Sequence, residues 1–238
     1  MRQKKKLALI ILLIIIIAIV GVGAFFMSSY HQGASKFSGE RNILILCTDP
    51  SEQRPGIGAV DMAFNVNINN GKLGEITPIY PGGLYHPTLE PSSDMRAEGL
   101  SQVFLHDSLW SSDLEKGTKI AQEIVEYHTN MTSDIVIVVT PDGIDALIDS
   151  VRPVYSDGQE VTTSSIDFLR EDQSSQGATR GDAVEGLAEG IKEAATKNNK
   201  KPALIQAAIS QYLAGNIQIV PKGDFQDLVT YLATKNLF

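Results

Sequence analysis

Cysteine is nearly absent from this chain, since only Cys47 occurs among its 238 residues. A single thiol excludes an internal disulfide and any zinc site built from several cysteines. Cys47 belongs to the apolar run of residues 43–47, which favours a buried small side chain. The four histidines are isolated from one another, and none has the spacing of a metal-binding helix. The sequence therefore offers no conventional zinc centre.

Basic residues are scarcer than acidic ones, at 20 against 28, and the formal net charge is −8. Four of these cations lie in the first six residues, so the remainder of the chain is still more acidic. Nucleic-acid binding needs clustered Lys and Arg to neutralise phosphates, so we expect no nucleic-acid partner. Motifs of the P-loop, G-x-S-x-G and H-E-x-x-H types are missing as well, which excludes the enzyme classes that depend on them.

Charged residues are missing altogether from residues 7–27, which follow a basic tail of residues 1–6. A helix of that length spans roughly 30 Å, enough for the hydrocarbon core of a bilayer. The preceding basic residues predict a cytoplasmic N-terminus and a single-pass protein of the cell membrane whose C-terminal part lies outside. A cleaved signal peptide is the alternative, although its apolar region would be only about 7–15 residues. We therefore predict a retained anchor, a linker over residues 28–41 and one extracytoplasmic domain over residues 42–238.

Strand-like and helical patterns alternate along this domain. Strands are predicted over residues 41–48, 60–69, 72–80, 133–140 and 216–221, with a short strand and turn within 152–161. Helices are predicted over residues 97–110, 112–128, 141–151, 181–197, 202–215 and 224–235. Asn70-Gly71 predicts a two-residue hairpin, and Thr140-Pro141 predicts a helix cap and a first-turn proline. The order predicts an α/β fold, a mixed β-sheet covered by helices on both faces, behind an N-terminal transmembrane helix.

Charge is concentrated in the segment "DPSEQRPGIGAVDMAF", residues 49–64, between the first two strands. Asp49 follows the first strand and Asp61 opens the second, so adjacent strands would bring both carboxylates to one end of the sheet. Paired carboxylates can hold Mg²⁺, which prefers oxygen ligands and often bridges to phosphate. Arg54 lies between them and can pair bidentately with phosphate. A solvated polar turn that begins at Asp49-Pro50 is the alternative interpretation.

A second charged segment extends from Arg170 to Asp182 and is rich in Ser and Gly. Arg180 lies just before a predicted helix, whose N-terminal amides favour an anion. A solvated loop with Asp182 as the helix cap is the alternative. Separately, Asn130 opens an N-M-T sequon, which predicts glycosylation in an exported domain.

The pattern as a whole resembles the LytR-CpsA-Psr family of membrane-anchored cell-wall phosphotransferases. "NILILCTDP" is similar to the first strand and G-T-D-S motif of that family, and "AVDMAFNVNINNGKLGEITPI" to its R-S-D-T strand and hairpin. "SDIVIVVTPDGIDALIDSVRPV" and "FLREDQSSQGATRGDAVEGLAEGIKEA" are similar to its later strand and its arginine-bearing helix. The resemblance implies a polyprenyl-phosphate-linked glycopolymer as ligand, Asp49 and Asp61 as catalytic and Mg²⁺-binding carboxylates, and Arg170 and Arg180 as phosphate-binding groups.

The sequence differs from that family at the positions that bind pyrophosphate in family members. Ala59 replaces the arginine of R-S-D, Cys47 replaces the first glycine, and "YPGG" replaces P-R-D. Arg54 is the candidate to replace the missing arginines as a catalytic and phosphate-binding cation, and as an exposed loop cation it is expected to contribute little to folding. Transferase activity stays open, and a non-catalytic envelope module that binds wall polymer or a protein partner is the alternative function.

The segment "SEQRPGIGAVDMAF" also resembles the E-L-R-P-T-G-G-F signature of an uncharacterised family of membrane-anchored envelope proteins from archaea and bacteria. "TPDGIDALIDSVRPVYSDGQEVT" resembles a later segment of the same family. From both resemblances we predict that Arg54, Arg170 and Arg180 converge on one cleft beside Asp49 and Asp61.

Overall fold

A computed structural model of the chain describes residues 39–165 and 180–222, apart from positions 53 and 71, together with residues 167, 224 and 227. The predicted basic tail (residues 1–6), the apolar anchor (residues 7–27) and most of the linker lie outside the described residues, as does most of the predicted C-terminal helix. Among the residues described, no helix combines the length and the apolar character that crossing a bilayer requires.

The described strands are β1 (Glu40–Asp49), β2 (Ala59–Asn69), β3 (Lys72–Ile79), β4 (Ile135–Val139), β5 (Tyr155–Ser156), β6 (Gln159–Glu160) and β7 (Ile217–Val220). Five of them form one sheet in the spatial order β3-β2-β1-β4-β7. β1 runs parallel to β4, and the other neighbouring pairs in this sheet are antiparallel. β1 and β4 lie at the centre and are near-continuous apolar runs, as expected for strands covered on both faces. The predicted mixed sheet is confirmed.

Two tight turns close the hairpins. Asn69 pairs with Lys72, which leaves the two residues predicted from sequence as the β2–β3 turn, and Asn70 has a left-handed φ of +50°. β5 and β6 pair around Asp157 and Gly158, whose φ angles are +49° and +82°. At the β5–β6 turn the positive φ at both central residues is the geometry that matches the twist of a hairpin and that Asp and Gly tolerate well.

Helices cover both faces of the sheet. They are α1 (Ser93–Ala97), α2 (Leu114–Thr129), α3 (Pro141–Val151), α4 (Arg180–Lys197) and α5 (Lys201–Ala214). On one face, here the α2 face, Leu44 and Leu46 of β1 share a core with Ala121 and Ile124 of α2.

The opposite face, here the α3 face, carries the other side chains of β1. Ile43 and Cys47 pack there with Ile144 of α3 and Tyr212 of α5. A third core joins α3, α4 and the β5–β6 hairpin, and it meets the α3 face through Met62 and Ile144. Alternate residues of β1 therefore point to opposite faces, and both faces are buried as the sequence predicts.

Helix starts are set by local side chains. The Thr140 hydroxyl accepts a hydrogen bond from the backbone N–H of Gly143 at 3.3 Å, and Pro141 occupies the first helical position, as predicted for α3. Ser112 and Glu115 have the spacing of a capping box before α2, but Ser112 does not cap the helix. Asp113 is the cap instead, because its carboxylate accepts from the N–H of Lys116 at 3.1 Å.

The predicted helix over residues 97–110 is wrong. The short helix α1 ends near Gly99, whose φ of +85° cannot continue a right-handed helix. The following backbone bonds to a distant loop, with the His86 N–H donating to Val103 O and the Leu105 N–H to Leu84 O, each at 2.8 Å. Only a 3₁₀ turn forms, over residues 105–107. The apolar spacing there reflects burial of an irregular segment on the α2 face.

Candidate functional site

The two aspartates predicted as site residues lie at the same end of neighbouring strands. β1 and β2 are antiparallel, and Asp49, the last residue of β1, pairs with Ala59, the first residue of β2. The register shifts between Cys47 and Thr48, so that Asp61 is an extra residue on β2. Asp61 is exposed and Asp49 is half-buried. The sequence-based prediction that adjacent strands bring both residues to one sheet end agrees with this register.

The loop that leaves Asp49 folds back tightly over the end of β1. The Asp49 Oδ1 atom accepts a hydrogen bond from the Ser51 N–H at 2.8 Å, which forms a turn stabilised by the aspartate. Gly58 has a φ of +119°, and a Cβ atom there would lie 2.8 Å from the Asp49 carbonyl oxygen. Only glycine fits this position, and it returns the chain to β2 beside Asp49.

The raised pKa of the Cys47 thiol indicates that Asp61 lies nearby. Burial raises the pKa of Cys47 to about 12, and the negative charge of Asp61 acts in the same direction. Asp61 therefore lies within electrostatic range of a residue that packs on the α3 face. A thiol with this pKa stays protonated near neutral pH, so Cys47 is not a nucleophile of the site.

The guanidinium group of Arg54 is engaged with Asp107. The Nε and Nη2 atoms of Arg54 lie 3.2 and 3.1 Å from Asp107 Oδ1. The Asp107 side chain is only 3% exposed and that of Arg54 is 20% exposed. The interpretation of Arg54 as an exposed loop cation is therefore wrong, because it neutralises a buried carboxylate.

Further polar and aromatic groups surround this ion pair. The Arg54 guanidinium lies 5.2 Å from the centre of the Trp110 ring, within the range of a cation–π contact. Glu52 lies 3.5 Å from Arg54 and 3.0 Å from His106 Nε2, while His106 Nδ1 lies 3.0 Å from the carbonyl oxygen of Val60. Both ring nitrogens of His106 therefore face oxygen atoms of the loop and of β2.

Gly56 brings this loop against the segment that carries Asp107. A Cβ atom at position 56 would lie 2.0 Å from the carbonyl oxygen of Leu109 and 2.7 Å from that of Ser111. No side chain fits in that space, so glycine is required for the backbones to approach. Leu109 belongs to the core of the α2 face, which fixes Arg54 on that side of the molecule.

The remaining predicted cations are described only in part. Arg170 lies outside the described residues, and only the backbone of Arg180 is described, as the first residue of α4. α4 packs with α3 and the β5–β6 hairpin at the α3 face, whereas Arg54 contacts Asp107 on the α2 side. The convergence of the three arginines on one cleft stays a prediction.

The side chains at the neighbouring ends of β1 and β2 are the candidate ligands for the predicted Mg²⁺ ion. In the part of the chain that the structure describes, no group of three or more His, Cys, Asp or Glu side chains is arranged to hold a metal ion. Asp49 and Asp61 supply two carboxylates, which suits Mg²⁺ when water and substrate phosphate provide the other ligands. A Mg²⁺ ion held by these two carboxylates together with a phosphate therefore stays a prediction, and the described residues offer no all-protein metal cage.

Asn130 has a structural role of its own. It ends α2 with a left-handed φ of +58°, and its backbone N–H donates to Glu126 O at 2.9 Å. Asparagine is one of the few residues that tolerate this conformation, which accounts for its presence without a glycan. Its side chain is exposed, so glycosylation stays a prediction.

Sequence reasoning missed the groups around Arg54, namely Asp107, His106, Glu52 and Trp110. The available signal is an acidic residue between Leu105 and Leu109, two positions whose apolar character indicates burial. A buried carboxylate needs a partner. The nearest cation in sequence does not provide it, since the partner lies 53 residues away.

Comparison with solved structures shows the fold. The crystal structure of protein gbs0355 from Streptococcus agalactiae aligns with a TM-score of 0.54 and 13% identity, covering 80% of this chain and 74% of that one. Structures of TagV and TagU from Bacillus subtilis align at TM-scores of 0.46 and 0.47, with 14% and 13% identity, covering 81% and 80% of this chain and 80% of each of theirs. The alignment with the Streptococcus agalactiae protein shows a shared fold, which agrees with the expected mixed α/β domain.

Sequence comparison identifies the family directly. None of the curated proteins matches this chain. The model of a family described as "Protein of unknown function (DUF4012)" matches residues 38–173, more than half of the chain and all of the segment from β1 to β6. This chain belongs to that family.

Proposed function

We propose that this protein is a membrane-anchored, extracytoplasmic component of cell-envelope biogenesis that binds a polyprenyl-phosphate-linked glycopolymer at the end of β1 and β2. One observation carries the proposal: the β1–β2 register brings Asp49 and Asp61 to the same sheet end. The apolar span of residues 7–27 and the LytR-CpsA-Psr-like fold support it.

In this proposal Asp49 and Asp61 would hold Mg²⁺ when the phosphate-bearing ligand binds. The ion would supply charge neutralisation at the phosphate. The Ser51 N–H already orients Asp49, and a carboxylate can combine such a bond with a cation because its two oxygens offer about four acceptor sites. Arg170 and Arg180 are the proposed phosphate-binding cations, on the strength of the family resemblance. Arg54 stabilises the loop between β1 and β2, because its guanidinium group forms an ion pair with Asp107.

The alternative function is a non-catalytic envelope module that binds wall polymer or a protein partner. It is favoured by one specific observation, the engagement of Arg54 with Asp107 and Glu52. With Ala59 and "YPGG" at the positions of the family arginines, Arg54 is the one cation in the described part of the loop between β1 and β2, and two carboxylates already offset its charge. Binding is therefore the proposed activity, and phosphotransfer would require the cations that follow residue 167.

The test is extraction of lipids from the purified full-length chain, followed by mass spectrometry. Wild-type protein is expected to carry polyprenyl-phosphate-linked saccharide, and Asp49→Asn and Asp61→Asn are expected to lose it, as is wild type after chelation of divalent cations. Glu126→Gln is the matched control, because Glu126 is an exposed carboxylate on α2. Protein without lipid, or equal lipid in all variants, would reject the site and leave the non-catalytic module.

A further inference from the structure

The helix α5 has an unusual surface for an acidic protein. No charged residue occurs between Lys201, at its start, and Lys222, and none of the side chains of α5 is fully buried. Its outer face includes Ile209 and Leu213, which lie one helical turn apart and are 36% and 78% exposed. Single exposed apolar side chains are ordinary on a protein surface, but an uncharged helix face that carries two of them indicates a contact surface.

The exposed last turns of α5 lie at the same end of the sheet as the proposed site. The carbonyl oxygen of Asn216, just after α5, accepts a hydrogen bond from the Thr140 N–H at 2.9 Å. Thr140 follows Val139, the residue of β4 that pairs with Cys47 of β1. Asp49 is two residues further along β1. The apolar face of α5 and the Asp49 carboxylate therefore belong to one end of the domain.

The chain enters the domain at the opposite end of this sheet. β1 begins at Glu40 and ends at Asp49, so its length separates the two ends by roughly 30 Å. A domain that stood upright on the predicted membrane span would hold the proposed site that far above the bilayer. The phosphate of a polyprenyl-linked ligand lies at the bilayer surface, because its hydrocarbon chain stays in the core and its charge cannot. To bind such a ligand, the site end must turn back to the surface.

The linker before β1 is long enough for this arrangement. Residues 28–39 can extend over at most roughly 40 Å, which exceeds the length of β1. The domain can therefore lie along the bilayer with its site end at the surface. The face that touches lipid would partly bury its side chains, which is unfavourable for charged groups. α5 meets this requirement, whereas α2, on the other face of the sheet, exposes Glu115, Lys119 and Glu126.

We propose that the exposed face of α5, with Ile209 and Leu213, rests on the bilayer surface and so presents the Asp49 end of the sheet to ligands at the level of the lipid head groups. This inference rests on the proposed function, because it assumes a retained membrane anchor and a lipid-linked ligand. A helix that lies in the interface buries its apolar side chains about 5–10 Å into the head-group region. With 14 residues, α5 is too short to cross the bilayer, so the contact is peripheral.

Quenching of a fluorescent label by lipid tests this orientation. The full-length chain is reconstituted in phosphatidylcholine vesicles that contain nitroxide-labelled phosphatidylcholine, and no polyprenyl phosphate is added. Ser210→Cys places the label on the exposed face of α5, and Glu126→Cys places it on the exposed face of α2. The native Cys47 is buried, so it does not compete for the label.

The label at position 210 is expected to be quenched more strongly than the label at position 126. An upright domain would give the reverse order, because the chain that leaves α2 returns to the start of β1, where the Asp134 N–H donates to Asn42 O at 2.8 Å. Equal quenching or the reverse order would overturn the proposal. So would a label at position 210 that is shielded from both lipid and dissolved iodide, since a second copy or another part of this chain would then cover α5. A chain that does not remain with the vesicles would overturn the anchor and the orientation together.

Variants locate the contact on α5. Leu213→Glu is expected to lower the fraction of chains whose label at position 210 contacts lipid about 3- to 10-fold, as for the loss of one partly buried leucine. Leu213 is 78% exposed, so this variant should fold. Leu89→Glu is the matched control and should leave the quenching unchanged, because Leu89 is an exposed leucine beside α2. Unchanged quenching in Leu213→Glu would mean that α5 does not rest on lipid.

This test is separate from the test of the proposed function. The vesicles contain no polyprenyl phosphate, so the quenching does not depend on Asp49 or Asp61. If the quenching fails while lipid extraction still distinguishes wild type from Asp49→Asn, the orientation is wrong and the ligand site stands. If the quenching is seen but no lipid is extracted from wild type, the orientation stands without the proposed ligand.

Discussion

The loop between β1 and β2 joins two charged regions that differ in burial. At its ends Asp49 and Asp61 lie at the same end of adjacent strands, with Asp61 exposed and Asp49 half-buried. In its middle Arg54 turns inward to Asp107, whose side chain is 3% exposed. Both regions contain carboxylates in a polar loop, yet burial gives them different roles.

The difference shows how burial separates stability from binding. A buried charge must be paired within the protein, so Arg54 and Asp107 neutralise each other. An exposed carboxylate costs little to keep in water and stays accessible to a cation or a ligand. The predictions below test this division, beginning with the largest expected effect.

The largest effect is expected at Arg54. Arg54→Ala leaves the buried Asp107 carboxylate without its cation and should lower the free energy of unfolding by about 3 kcal/mol. Arg41→Ala is the comparison, because Arg41 pairs with Asp134 at 3.4 Å on the exposed surface and should cost less than about 1 kcal/mol. Urea unfolding of both variants measures the difference. Equal losses would mean that Arg54 is the surface cation that the sequence indicates.

Gly56 should come next. In Gly56→Ala the new Cβ would lie 2.0 Å from the Leu109 carbonyl oxygen, so the loop must move away from the segment that carries Asp107. A loss of about 2–3 kcal/mol is expected, as for overpacking at a site that cannot relax. Gly82→Ala is the control, since no atom lies within 4 Å of its added Cβ. If the Gly56→Ala and Gly82→Ala variants had the same melting temperature, the backbone at Gly56 would not lie so close to the segment that carries Asp107.

Cys47 links stability to pH at the edge of the proposed site. The pKa of the thiol rises from its ordinary value of 9.0, which applies to the unfolded chain, to about 12 in the folded chain. Between these values the unfolded chain loses a proton that the folded chain keeps, so the free energy of unfolding falls as pH rises, by about 1.4 kcal/mol per pH unit. Cys47→Ala should remove this part of the slope when urea unfolding is compared across that range. An unchanged slope would place the thiol in contact with water.

The sequence predicts the elements whose signals are local. The strand pattern of β1 and β4, the Asn70-Gly71 turn and the Thr140 cap all depend on residues within a few positions of one another, and each is confirmed. The predicted helix over residues 97–110 fails because that segment bonds to the loop at residues 84–86, which no local pattern encodes.

The same distinction applies to the site. The register that brings Asp49 to the start of β2 follows from the β1–β2 connection, so chain order is enough to predict it. The partner of Arg54 is 53 residues away, in a segment of irregular structure, and its burial depends on the tertiary fold. Charge and spacing in the sequence therefore locate the loop correctly but cannot separate its inward face from its outward one.

The smallest effect on stability is expected at Asp61. Asp61 is exposed on a bulge of β2, so Asp61→Asn should change the free energy of unfolding by no more than about 0.5 kcal/mol. The same substitution at Asp107 removes the charge that Arg54 neutralises and should cost about 1.5–3 kcal/mol. Lipid extraction should give the reverse order, with polyprenyl-phosphate lost from Asp61→Asn and kept by the folded fraction of Asp107→Asn. A destabilised Asp61→Asn that still carries lipid would make Asp61 a structural residue, and the two regions of the loop would then share one role.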